Sequence, residues 1–365
     1  MAFGMIGTTP VIAVDFGVAS LKVLQLSGDS KNILGAATVE TPHELRMQHS
    51  RRFEYQVDAL PKLLRGAGIK SKRAVCSIPA SQTYIHHFRV LKQDDVPLDT
   101  AVGAQLQAHT HCDPSKVVFR SIPVQGVVQS SSRVEAICIA MARDLVLKQM
   151  AAIKKLKIET LGVFSEHLAM HSAIRAIAGS GEEASFPTLY LDIGATSTKV
   201  IITHSGKLVF AKTIGIGGSS FDESIARQRR CGQVTAHVMR VGASGGQSIE
   251  AEGAGEIAVA DPAEIEAQCG EQIEALTDEI SMCLRYHRQL FPDDGVCRAI
   301  LLGGETRSKS LCHAVARSLR LPTQIADPFA RFGKDKAGDA LGVDLTKPQP
   351  GWATPLGLCL MPTNG

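Results

Sequence analysis

Short apolar runs joined by polar turns open the chain, and the same arrangement returns near its middle. Residues 11–26 have the pattern of a strand, a tight turn and a second strand, and residues 189–203 repeat it. Both turns carry an aspartate, a glycine, a serine and a lysine in the same order and spacing, at Asp15, Gly17, Ser20 and Lys22 and at Asp192, Gly194, Ser197 and Lys199. The two copies predict a duplicated fold in which both turns face one ligand.

Between and after these hairpins, apolar residues recur every three or four positions, which predicts amphipathic helices. The longest such stripe covers residues 261–291, where Asp261 can act as N-cap and Pro262 suits the first helical position, so we expect one long helix. Shorter helices are predicted at 53–68, 97–108, 145–156, 165–178 and 311–319. Strands alternate with the helices, and residues of about 84–160 are expected to form a small α+β module within the first half.

Composition narrows the class of protein. The 365 residues are 44% hydrophobic and 21% charged, as in an ordinary soluble globular protein, and a net charge of +3 gives no case for nucleic acid. The nine cysteines form no C-x-x-C pair, so we expect reduced thiols in the cytoplasm. No apolar run reaches eighteen residues, and the first ten residues lack the basic region of a secretory signal, so neither segment is expected.

The two matching turns have the chemistry of a phosphate site. Glycine lets the backbone turn tightly and approach a ligand, while hydroxyl and backbone N–H groups suit phosphate oxygens. Asp15 and Asp192 each end a predicted buried strand, where a carboxylate can hold Mg²⁺ through water. Two ordinary hairpins with glycine turns are the alternative, which the matched spacing disfavours.

Further candidate residues lie at other strand ends. Gly303 and Gly304 follow a predicted strand but do not form a P-loop, because Ser308 rather than glycine precedes Lys309. The pair indicates either close approach to a flat group such as adenine or a simple strand–helix turn. Glu166 opens a predicted helix, where it either stabilises the helix dipole or orients a water molecule near the phosphates.

Together these features resemble the actin-like ATPase superfamily and, within it, the PilM branch of type IV pilus assembly proteins, which is related to FtsA. The most specific segment is 276–329, with an acidic helix, a Leu-Gly-Gly turn, a Leu-Pro pair and a closing Asp-Pro-Phe. The resemblance implies an α/β fold of two ribonuclease-H-like halves around a nucleotide cleft. It places the first half at 10–83 and 161–180, an inserted α+β subdomain at 84–160, and the second half at 186–365 with its own insertion at about 222–290.

The resemblance also implies a site for ATP with Mg²⁺. By position, Asp15 and Asp192 would face the metal and its waters, and Glu166 would act with Asp15 as a catalytic group that orients water. The residues expected to wrap the phosphates are Gly17, Ser20, Lys22, Gly194, Thr196 and Ser197. Those expected to approach ribose and adenine are Gly217, Gly218, Gly303 and Gly304, with Arg240 on a helix near the nucleotide.

The chain departs from the family's pattern at several of these places. Val18 and Ala19 remove hydroxyl groups from the first turn, and Lys199 stands where the family often has asparagine. Glu305 replaces a small residue after the second glycine pair. Because phosphoryl transfer depends on positioned donors and charges, we expect weak or absent hydrolysis.

PilM-like proteins act by binding partners. The resemblance implies a groove beside the inserted subdomain that takes the cytoplasmic tail of a PilN-like inner-membrane protein, with other inner-membrane components of pilus or secretion assembly as further partners. It implies a cytoplasmic protein held at the inner membrane through its partner, without direct insertion, and leaves self-association open. A scaffold similar to GspL of type II secretion or to FtsA is the nearest alternative, and a small-molecule kinase on the same fold is a more distant one.

Overall fold

The computed structural model describes residues 10–91, 95–127, 133–179, 185–245, 249–251, 255–257, 261–334 and 340–362. The strands in this part of the chain are β1 (Ile12–Phe16), β2 (Ser20–Leu26), β3 (Ile33–Glu40), β4 (Arg73–Ile78), β5 (Thr83–Leu91), β6 (Val117–Pro123), β7 (Arg133–Ala142), β8 (Glu159–Ser165), β9 (Thr188–Ile193), β10 (Thr198–His204), β11 (Lys207–Ile214), β12 (Ile249–Ala251), β13 (Gly255–Ile257), β14 (Arg298–Leu302) and β15 (Thr323–Ile325). The helices are α1 (His49–Gly66), α2 (Leu98–Thr110), α3 (Arg143–Lys155), α4 (Glu166–Ala178), α5 (Gly218–Arg229), α6 (Gln233–Gly245), α7 (Pro262–Gln268), α8 (Gly270–Leu290), α9 (Lys309–Leu319) and α10 (Ala353–Cys359).

Two five-stranded sheets of the same topology form the body of the molecule. Their orders are β3-β2-β1-β4-β8 and β11-β10-β9-β14-β15. In each sheet the first two strands in sequence pair antiparallel. The first strand also pairs parallel with a later strand, β1 with β4 and β9 with β14. The central strands β1 and β9 are buried along their full length, as expected for strands covered on both faces. The predicted duplication is therefore confirmed as an actin-like fold of two ribonuclease-H-like halves.

The two hairpins also share their register. Asp15 lies opposite Lys22 across β1 and β2, and Asp192 lies opposite Lys199 across β9 and β10. Directly opposed residues of antiparallel strands project from the same face of the sheet. The repeated aspartate and lysine of the sequence are thus cross-strand pairs in both halves.

A third, smaller sheet belongs to the inserted module. Its order is β5-β7-β6, with both pairs antiparallel, and α2 packs against it through the buried residues Val102 and Leu106. The module also contacts the second half, because His87 of β5 lies 3.3 Å from the carbonyl oxygen of Ala211 in β11. The module therefore touches both halves of the molecule.

The prediction of a single helix at 261–291 is wrong, because α7 and α8 are separate helices that meet at Cys269. Side chains from α5 bind the end of α7: Ser224 donates to the carbonyl oxygen of Gln268 at 2.8 Å, and Gln228 donates to the same atom at 2.9 Å. Gly270, a poor helix former, follows the junction. The apolar stripe continues through this break, so periodicity alone could not reveal it.

The apolar pattern did not predict two other features of the fold. Helix α1 begins at His49 rather than at 53, because its first turn is polar. Helix α10, close to the end of the chain, packs against α4 and strand β1, within the layer of helices that covers the first sheet. Within the described part of the chain, none of the helices combines the length and hydrophobicity that a bilayer span requires. The predicted domain boundaries remain predictions.

Candidate functional site

A cleft of about 690 Å³ lies where the turns of the two hairpins and the end of β14 meet. The structure brings most of the predicted site residues to its wall. Those lining the cleft are Asp15, Gly17, Ser20, Lys22, Glu166, Asp192, Gly194, Thr196, Ser197, Arg240, Gly303 and Gly304. Gly217 and Gly218 lie one layer behind it: a Cβ on Gly217 would be 2.4 Å from the carbonyl oxygen of Gly194, and one on Gly218 would be 2.2 Å from Oε1 of Glu305.

The side chain of Asp15 is held in position by Ser77 of the adjacent strand β4. The Ser77 hydroxyl, at the end of β4, donates to Oδ1 of Asp15 at 2.7 Å and accepts from the amide N–H of Phe16 at 3.0 Å. Burial, together with the nearby Glu166 carboxylate, raises the pKa of Asp15 to about 6. The carboxyl is therefore fixed in position and takes up a proton more readily than a free aspartate.

Lys199 forms a buried ion-pair cluster with two carboxylates. Its Nζ lies 2.9 Å from Oε2 of Glu166 and 3.4 Å from Oδ2 of Asp192, and the three side chains are 10% exposed or less. The backbone N–H of Ala80 also donates to Oε2 of Glu166, at 3.2 Å. Burial alone would raise the pKa of Glu166, but the Lys199 ammonium and these hydrogen bonds outweigh it and hold that pKa below its usual value.

Lys22, the counterpart of Lys199 in the first hairpin, has different partners. Its Nζ donates to the carbonyl oxygen of Gly351 at 2.6 Å and lies 5.8 Å from the ring centroid of Trp352. Burial lowers the pKa of Lys22, and Asp15 and Asp192 only partly oppose the shift. The two equivalent lysines thus occupy unlike environments.

A second buried cluster joins α5, α6 and the turn after β14. Arg240 donates through Nε to Oδ1 of Asp222 at 2.7 Å and through Nη1 to Oε2 of Glu305 at 2.5 Å. His237 lies 2.9 Å from Oδ2 of the same Asp222. Burial would raise the pKa of Asp222, but the bonds from His237 and Arg240 reverse the shift and lower it. Glu305, a departure from the family's pattern, therefore serves as a partner of Arg240.

Several residues at the cleft carried no signal in the sequence. Ser77 is part of a buried strand, and Arg46 and Arg307 lie in polar stretches without periodicity. Gly351 and Trp352 lie more than 300 positions from Lys22, which they contact. Only the fold brings such distant segments together.

The carboxylate oxygens at the cleft are poorly arranged to bind a resident Mg²⁺. Oδ2 of Asp192 faces the Lys199 ammonium, and Oδ1 of Asp15 accepts from Ser77. Among the described residues, no three His, Cys, Asp or Glu side chains are grouped so that they could hold a metal ion. A divalent cation next to Asp192 would have to displace or oppose a buried positive charge.

The chain matches a known protein family over more than half of its length. The family described as type IV pilus assembly protein PilM matches residues 13–253, which include nearly all of the first hairpin, the inserted module and the second hairpin. The chain belongs to the PilM family. The resemblance identified from the sequence is thereby confirmed.

Solved structures agree with PilM at the level of the fold. The structure of a PilM-PilN type IV pilus biogenesis complex is similar with a TM-score of 0.78 and 19% identity, covering 96% of this chain and 98% of the other. The ethanolamine utilization protein EutJ from Carboxydothermus hydrogenoformans is similar with a TM-score of 0.54 and 14% identity, covering 97% and 90%.

Proposed function

We propose that this PilM-family chain is a cytoplasmic adaptor of type IV pilus assembly that binds ATP in the cleft between its two halves. The pairing of the hairpins supports this most directly. Two equivalent glycine turns with hydroxyl groups and backbone N–H donors border one cavity, which also holds two lysines. Such donors match the oxygens of a triphosphate.

Hydrolysis is proposed to be weak or absent. Glu166, the candidate for orienting water, already accepts from Lys199 and from the N–H of Ala80. The first turn offers Val18 and Ala19 to the cleft where hydroxyl donors would help to hold the transferred phosphate. Mg²⁺, which the sequence predicts at Asp15 and Asp192, is proposed to accompany the nucleotide in solution rather than to reside in the cleft.

The second part of the proposal concerns the partner. We propose that the chain binds the cytoplasmic tail of a PilN-like inner-membrane protein, as the solved PilM-PilN complex suggests. A cavity of about 60 Å³ lies between α1 and α3, at the base of the inserted module, and Phe53 and Leu145 contribute its apolar wall. It can take one apolar side chain of an extended segment, while main-chain bonds hold the rest.

Titration calorimetry with ATP tests the first part. The wild-type chain should bind ATP at millimolar concentration or below, and Ser197→Glu should weaken binding at least about tenfold, because a carboxylate in the turn repels phosphate. Ser318→Glu places the same charge on the exposed face of α9 and is the matched control. Absence of binding to the wild-type chain would refute the nucleotide site.

A synthetic peptide with the sequence of the cytoplasmic tail of a PilN-like protein from the same genome tests the second part. Leu145→Asp, in the wall of the cavity between α1 and α3, should abolish peptide binding measured by fluorescence anisotropy. Leu147→Asp changes an exposed leucine of the same helix and should leave binding unchanged. Equal loss in both variants, or none in Leu145→Asp, would place the tail elsewhere.

A further inference from the structure

The lysine of the second hairpin lies where the sequence predicts a metal. Lys199 and Asp192 are directly opposed across β10 and β9, so both side chains project into the cleft from the same face. Glu166 reaches the same point from the start of α4, which Ser165 caps by accepting from the N–H of Leu168 at 3.3 Å. Three elements thus fix one positive charge between two carboxylates.

The ammonium group has the donors needed to serve a nucleotide as well. An ammonium carries three N–H donors, and Lys199 gives one of them to Oε2 of Glu166 at 2.9 Å, while Oδ2 of Asp192 lies 3.4 Å away as an ion-pair partner. Lys199 also lines the cleft, so a donor that Glu166 does not use can meet a phosphate oxygen. The lysine stem is flexible enough to make this contact without releasing both carboxylates.

The charge balance of the cleft agrees with this arrangement. Five acidic and five basic side chains line it, apart from His237. The acidic ones are Asp15, Glu40, Glu166, Asp192 and Glu305, and the basic ones are Lys22, Arg46, Lys199, Arg240 and Arg307. The wall therefore carries enough fixed positive charge to balance its own carboxylates before any metal arrives, and Lys199 is the cation placed against Asp192.

We propose that Lys199 takes the place of the divalent cation at this cleft, so that the chain binds nucleoside triphosphate with little dependence on Mg²⁺. The proposal rests on the nucleotide site proposed above and adds a specificity-determining residue to it. Lys199 offsets one of the two negative charges of Asp192 and Glu166 and donates to the phosphates, whereas a bound Mg²⁺ would be opposed by its charge.

Calorimetry with ATP in two buffers, one with Mg²⁺ and one with EDTA, tests this. For the wild-type chain the two dissociation constants should agree within about threefold. Lys199→Gln should weaken binding in EDTA by about tenfold or more, the usual effect of losing a charge-assisted hydrogen bond, and by clearly less with Mg²⁺ present. Lys199→Arg, which keeps the charge, should retain binding in EDTA.

Lys22→Gln is the matched control, because Lys22 occupies the same position in the first hairpin but donates to the carbonyl oxygen of Gly351. It should weaken binding by the same factor in both buffers. Wild-type binding that requires Mg²⁺, or equal losses in both buffers for Lys199→Gln, would overturn the inference while leaving the nucleotide site intact. Absence of ATP binding in both buffers would instead refute the nucleotide site and this inference with it. If Lys199→Gln proves unstable, the two wild-type dissociation constants, with Mg²⁺ and with EDTA, still test the inference.

Discussion

Gly303 shows how much one residue contributes to the cleft. It has a φ of +97°, a conformation that side chains disfavour, and a Cβ there would be 2.2 Å from the carbonyl oxygen of Ile193 and 2.6 Å from Oδ1 of Asp192. Gly304, the next residue, has open space around its Cβ position. The sequence left open whether this pair approaches a flat ligand or only forms a strand–helix turn, and the packing of the protein itself requires glycine at Gly303 alone.

We therefore expect Gly303→Ala to lower the free energy of unfolding by about 2 kcal/mol or more, from backbone strain and overpacking. Gly304→Ala should change it by less than about 0.5 kcal/mol, as is usual for a site without close contacts. Urea unfolding followed by circular dichroism measures both. Similar losses in the two variants would contradict the packing described for Gly303.

At the scale of elements, α10 is held to α4 by a very close contact. A Cβ on Gly357 of α10 would be 1.6 Å from the carbonyl oxygen of Ala169 in α4. Because that neighbour is backbone rather than a flexible side chain, the helices would have to separate. The sequence does not predict this contact, since a glycine in an apolar segment does not reveal which helix it faces.

Gly357→Ala should therefore destabilise the chain by roughly 2 kcal/mol or more, the upper range for overpacking. Gly270→Ala is the matched control in another helix, because no atom lies near its Cβ position. It should be neutral or stabilising by up to about 1 kcal/mol through helix propensity. Thermal unfolding distinguishes the two, and an unchanged midpoint for Gly357→Ala would mean that α10 can shift freely.

At the scale of the whole molecule, the halves also meet away from the cleft. His167 of α4 lies 3.1 Å from the Thr213 hydroxyl of β11, and His171 of α4 lies 3.0 Å from the carbonyl oxygen of Gly206. Tyr286 of α8 donates to Glu135 of the inserted module. These contacts join all three parts of the molecule.

His167 makes one of these contacts sensitive to pH. Burial, and then the Lys199 charge, lower the pKa of His167 to about 3, so the native chain keeps it neutral. Above pH 6.5 His167 is neutral in both the native and the unfolded state, so its protonation does not lower the free energy of unfolding. Below pH 6.5 the unfolded state binds the proton first, so stability falls as the pH falls.

We expect the wild-type chain to lose about 2 kcal/mol of stability from this residue between pH 6.5 and pH 5, at ~1.4 kcal/mol per unit. His167→Asn, measured by urea unfolding at pH 7.5, 6.0 and 5.0, should be less stable at pH 7.5, and the difference should shrink as the pH falls. His313→Asn, on the exposed side of α9, controls for loss of a histidine. Parallel pH profiles for the wild-type chain and His167→Asn would contradict this prediction.

The sequence by itself determined the duplication, the α/β class, the inserted module and twelve of the residues that line the cleft. Those features are local: in both copies the apolar runs on either side of the glycine turn form a hairpin. Only the tertiary structure decided that Lys199 meets Glu166 and Asp192 while Lys22 meets Gly351, that α7 and α8 are separate, and that α10 lies on α4. These depend on contacts between residues far apart in sequence, which no local pattern encodes.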